Sequence, residues 1–162
     1  MDNTLNKSYR ISIDNFLKDK NISQLAKDLY VGKIKPTDNN AHLSLIDSIN
    51  SKGTARSFYF LVITKTMQYA DGAYTEPLGI AAKAFVENNT TEFLSYFKVN
   101  SDILTNEDLE TWAHSVYGEI QIDSEGTEQK AVADLKTKML ANSKELLDDN
   151  KQIIEKFIRL MK

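Results

Sequence analysis

The stretch "TARSFYFLVITKTMQYA", residues 54–70, decides the fold. Its inner run, residues 58–63, is apolar on every side of a helix, which marks a helix enclosed by protein rather than one lying on a surface. Thr54 stands where an N-cap belongs. The run "FYFLVI" is far too short to span a membrane. The segment is therefore expected to be the central element of a globular core.

The neighbouring segments read with helical period in both directions. Tyr9, Ile13, Phe16 and Leu17 form one stripe, stopped near Asn21. Ile22, Leu25, Ala26, Leu29 and Tyr30 form a second, closed by Gly32 and "KIKP". Thr37 or Asp38 is expected to open a helix carrying Leu45, Ile46 and Ile49 that ends at Gly53. Downstream, Asp71-Gly72 reads as a stop and Thr75 as an N-cap. Glu76 and Pro77 then fall in a first turn, where an acid suits the helix dipole and a missing N–H is harmless. Tyr74, Leu78, Ile80, Ala81 and Phe85 are expected to pack this hairpin, with Asp71 and Glu76 as exposed contact residues at its tip.

"LTNEDLETWAHSVYG", residues 104–118, is the best-specified helix. Thr105 and Asp108 have capping-box spacing, and Leu104 and Leu109 occupy the positions of a hydrophobic staple. Leu109, Trp112, Ala113, Val116 and Tyr117 make its buried face, and Gly118 is expected to end it. "EIQID" alternates and predicts a short extended link. From Thr127 onwards Val132, Met139, Leu146, Ile153 and Leu160 repeat every seven residues. Asn142 and Asp149 interrupt the companion positions, which argues against a coiled coil. The segment predicts one long helix, or two broken near "ANSKE", packed on the rest. The whole chain, residues 1–162, is thus expected to be a single all-α domain of about seven or eight helices. Its form is an antiparallel bundle or a short stack of HEAT-like helical hairpins.

Composition narrows the function. The chain has 162 residues, 41% hydrophobic and 27% charged, enough to bury roughly 70% of its unfolded surface. It has no cysteine, which excludes disulfides, thiolate metal sites and cysteine nucleophiles. The start lacks the apolar core of a signal peptide, so a cytoplasmic location is expected, or a periplasmic one if a leader has been removed.

The net charge of −3 conceals a polarised distribution. Residues 1–65 carry 10 Lys and Arg against 6 Asp and Glu. Between Lys98 and Lys130 there is no cationic residue but eight acids: Asp102, Glu107, Asp108, Glu110, Glu119, Asp123, Glu125 and Glu128. Such a block argues against nucleic acid as a partner of that face and for a basic protein.

Motifs for chemistry are missing. His42 sits at the edge of an apolar stripe and reads as a structural residue; His114 follows Glu110 by four positions and predicts a local Glu–His pair. Neither histidine belongs to a Glu-x-x-His or His-Glu-x-x-His pattern, so no metal is expected. No serine lies in a nucleophile motif, and the six glycines form no phosphate cradle. "DSEG", residues 123–126, fails the spacing of a calcium loop. No cofactor is expected.

"ADGAYTEPL…FVENNTTEFLSYF", within residues 70–97, resembles a pattern in small all-helical, HEAT-like bacterial proteins, some of them immunity partners of secreted toxins. The resemblance implies a helical architecture and a protein partner, and it carries no catalytic residues. The leading expectation is a non-enzymatic interaction module binding a basic partner through segment 102–128, with Glu107, Asp108, Glu110, Asp123 and Glu125 as contact residues. Alternatives are an adaptor self-associating through its C-terminal helix, and a helical enzyme or small-ligand carrier, which needs a closed pocket with convergent acids or histidine.

Overall fold

In the computed structural model, residues 8–70, 72–143 and 148–161 are described, and every regular element among them is helical. The order is α1 Ile13–Lys18, α2 Gln24–Tyr30, α3 Asn40–Asp47, α4 Arg56–Met67, α5 Gly72–Asn88, α6 Thr90–Val99, α7 Asn106–Asp123, α8 Glu128–Asn142 and α9 Asp148–Leu160. The all-α single-domain expectation holds, and the helix count among the described residues is slightly higher than expected. No helix among them is long and apolar enough to cross a membrane.

Helix α4 is the central element that its sequence predicts: Phe58, Phe60, Leu61, Val62 and Ile63 are all fully buried. Around it lies an aromatic cluster. The Trp112 ring of α7 stacks on Phe60 at 4.8 Å, with Phe93 of α6 at 5.4 Å and Phe85 of α5 at 6.0 Å. Phe157 of α9 closes on Phe93 at 5.0 Å. Burying an indole leaves one donor to satisfy, and Trp112 Nε1 donates to Thr64 Oγ1 at 2.9 Å. One α4 position is thus polar because its neighbour on α7 needs an acceptor.

Several helix ends differ from expectation. Asn39, rather than Thr37 or Asp38, caps α3, its Oδ1 accepting from His42 N at 3.0 Å. Thr37 is engaged elsewhere: its backbone N–H donates to His42 Nδ1 at 2.7 Å, which gives His42 its structural role. Helix α3 stops at Asp47, not Gly53, but three tighter turns follow and keep Ile49 buried. Thr54 does not cap α4; the N-cap is Ala55, without a side-chain bond. The entry is held by Arg56, which binds Ser51 O and Asn89 Oδ1 and pairs with Glu92.

Helix α5 begins at Gly72 rather than after Thr75, and Pro77 lies inside it. Gly72 has φ +45°, the left-handed conformation that glycine takes without a Cβ penalty. Pro77 deprives the Ala73 carbonyl of its helical donor; Ala73 is exposed, so water can replace it. Tyr74, Leu78, Ala81 and Phe85 are buried as expected, whereas Ile80 is 52% exposed. Asp71 lies outside the described residues.

Helix α7 carries the capping box its sequence predicts, Thr105 Oγ1 accepting from Asp108 N and Asp108 Oδ2 from Thr105 N at 2.8 Å. It does not end at Gly118, and "EIQID" is helical to Asp123. An interior glycine weakens a helix by only about 1 kcal/mol, and the burial of Ile120 on the core offsets that. The left-handed turn falls instead at Gly126, φ +79°. Beyond it are two helices, α8 and α9, packed on each other and on the core; Met139, Ile154 and Phe157 are buried there. Leu146 and Leu147 of the heptad pattern lie outside the described residues.

The N-terminal segment crosses to α6 as an extended strap. Asn100 is fully buried, accepts from Ile11 N at 2.8 Å and donates to Tyr9 O and Tyr96 O, each at 2.9 Å.

Candidate functional site

The acids of segment 102–128 divide into those used by the fold and those left over. Asp102 receives both guanidinium nitrogens of Arg10 at 2.6 Å, which lowers its pKa. Asp108 closes the capping box and also meets Lys65 of α4 at 3.1 Å. Asp123 pairs with Lys83 of α5 at 2.5 Å. Glu128 turns back onto Gly126 N at 2.9 Å, and that backbone bond lowers its pKa. Glu107, Glu110 and Glu125 remain exposed, and no ion pair among the described residues involves them. Of the five predicted contact residues, these three are uncommitted, whereas Asp108 and Asp123 already serve helix α7. Glu110 and His114 are both exposed, without the ion pair between them that their spacing predicts.

Helix α5 packs more extensively on α7 than any other pair of helices, and a cleft of about 300 Å³ opens between them. Gly72, Thr75, Glu76 and Gly79 line it from α5; His114, Ser115, Gly118, Glu119 and Ile122 line it from α7. Gly79 lies where the two helices come close. A Cβ there would meet Glu119 Oε2 at 3.3 Å and the Ser115 carbonyl at 3.4 Å. Thr75, Glu76, His114 and Ile122 are exposed, so the cleft is open to solvent. Ile122 is 66% exposed, and Ile80 lies beside Gly79 on α5.

Glu119 is only 7% exposed and forms part of the cleft wall. Burial raises its pKa; Asp123 and Glu76 add to the rise, and Lys83 opposes it. The Asp123 carboxyl, one turn on, adds its own negative charge, and among the described residues no ion pair involves Glu119. Burying a carboxylate without a cation is costly, so the arrangement favours an incoming positive group. Among the described residues no cluster of three or more His, Asp or Glu could hold a metal ion.

Sequence reasoning found the acidic segment and missed the cleft. Glu119, Gly79 and Gly118 are each ordinary in sequence, and only the packing of α5 on α7 brings them together. The available signal was two glycines inside helical patterns, which often mark close approach or function. No family model matches the chain, and neither a curated protein nor a solved structure gives a significant match.

Proposed function

We propose that this chain is a non-enzymatic protein-interaction module that engages a basic partner through the acidic segment 102–128. The observation that carries this reading is the charge left on α7 and the following turn once the internal ion pairs are formed. Glu107, Glu110 and Glu125 remain exposed and uncompensated on a segment with no Lys or Arg. Such a surface accelerates association with a cationic partner and discriminates against acidic ones. The open cleft, with Ile122 exposed on its wall, adds apolar area within the same segment, and the buried centres of binding surfaces are the more apolar part. An immunity or inhibitor role toward a basic toxin is the specific form suggested by the sequence resemblance.

The test is the association rate with a partner captured from the native cell. The triple reversal E107K/E110K/E125K, which leaves the fold's own ion pairs intact, should slow association about 10-fold or more at low salt and flatten its salt dependence. An unchanged rate would reject the acidic surface. The self-associating adaptor has less support, because Met139 of the C-terminal stripe is buried within the chain and Val132, Ile153 and Leu160 already pack against its core. The carrier or enzyme alternative requires an enclosed pocket, and this cleft is open.

A further inference from the structure

Gly118 has no steric reason to be glycine. It lies inside α7, its φ is not positive, and an added Cβ would meet no atom within 4 Å. Alanine there would strengthen the helix by roughly 0.5–1 kcal/mol. What the missing methyl provides is room in the cleft beside Glu119. Gly79, opposite, is different: a Cβ there would meet Glu119 Oε2 at 3.3 Å, so that carboxyl would have to give by a few tenths of an ångström.

Three features thus converge on one small space: an unfilled glycine, a glutamate nine-tenths buried with no ion pair among the described residues, and the exposed side chain of Ile122. The fixed charges around it are Glu119, Glu76 and Asp123, opposed by Lys83 alone, and Lys83 is held by Asp123. His114 faces the same space from α7. The balance is acidic, and the volume, about 300 Å³, is at the small end for ligand sites. It suits one long side chain rather than a cofactor.

We propose that the cleft receives a single arginine side chain of the protein partner, its guanidinium on Glu119 and its methylenes along Ile122 over Gly118. This rests on the reading of the chain as a module for a basic partner and names the group that is read. Arginine fits better than lysine because its planar fork pairs with carboxylates at two points and is less strongly hydrated, so it loses less on entering a half-buried site.

The probe is Nα-acetyl-arginine amide, titrated into the full chain while amide shifts are followed by NMR, with Nα-acetyl-lysine amide and sodium chloride as controls. Saturable millimolar shifts are expected at Gly79, Ser115, Gly118 and Glu119. They should weaken at least 10-fold in E119Q and several-fold in G118A, a variant expected to be more stable than the parent and so free of any folding defect. Absence of saturable shifts, shifts that persist in E119Q, or equal binding of the lysine compound would overturn the assignment. If the probe fails while E107K/E110K/E125K still slows the partner, the arginine pocket falls and the broader reading stands. If the reversal fails and the probe binds, the reverse holds.

Discussion

The two halves of helix α7 follow different rules. From Thr105 to Tyr117 each residue agrees with its neighbours: a reciprocal cap and a buried face centred on Trp112 with its indole N–H satisfied. From Gly118 to Asp123 the helix contains an unnecessary glycine, a buried acid without a cation and an exposed isoleucine. Local consistency is what specifies a fold, and departures from it concentrate where a protein does something besides fold. The first half builds the core; the second half trades stability for an open cleft.

That contrast can be broken at either end. The largest effect is expected for Trp112→Ala, which removes the centre of the aromatic cluster and leaves Thr64 with only its bond to the Phe60 carbonyl. It should cost about 3–5 kcal/mol in urea unfolding, as large-to-small core changes do. A loss below about 1 kcal/mol would mean that the first half is not the core. Next is Thr105→Ala, which removes the cap and should cost about 1 kcal/mol.

In the second half the sign reverses. Gly118→Ala should stabilise the chain by roughly 0.5–1 kcal/mol, read as a rise in Tm. A fall would mean that the cleft is packed more tightly than its geometry indicates.

The smallest effect, and the most diagnostic, is the pH dependence of Glu119→Gln. Burial holds the Glu119 pKa above its ordinary carboxylate value, so the folded state binds this proton more tightly than the unfolded state. Below the unfolded value both states carry the proton and the residue costs nothing. As pH rises through that value toward the raised one, the unfolded chain ionises first and stability is lost; above both, the loss is complete. Glu119→Gln should therefore raise Tm at pH 7, and the gain should shrink toward zero at pH 4. A gain independent of pH would show that charge burial is not the cause.

The same division explains what could be read from the sequence. The enclosed run of α4 and the Thr105–Asp108 box depend on neighbours within one helix, and each is where the pattern places it. The C-terminal half of α7 misled because its signals mimic other structures. Gly118 looks like a helix stop, since glycine is the usual residue there. Ile120 and Ile122 alternate like a strand, but on a helix residues two apart lie on nearly opposite sides. One therefore enters the core while the other faces the cleft. Thr37 and Thr54 misled for a different reason: a local bond to His42 engages the one, and the Arg56 contacts to Ser51, Asn89 and Glu92 hold the helix entry beside the other. For the candidate site, the acidic segment was visible from charge alone. Its division into paired and free acids was not, because Arg10, Lys65 and Lys83 come from distant parts of the chain.

The Asn100 strap has a consequence in time. Its hydrogen bonds join residues 89 and 91 positions apart, so Tyr9 and Ile11 leave the ribosome long before the side chain that holds them exists. Closing so long a loop is entropically costly until the helices between have assembled. Docking of the strap after the barrier to folding is therefore the expected order, and contacts formed that late govern how fast a protein comes apart rather than how fast it forms. Asn100→Ala is expected to speed unfolding in stopped-flow traces and to leave the refolding rate nearly unchanged. Residues 9–11 are a clasp on a finished bundle, and the lifetime of the native state depends on how firmly Asn100 holds it shut.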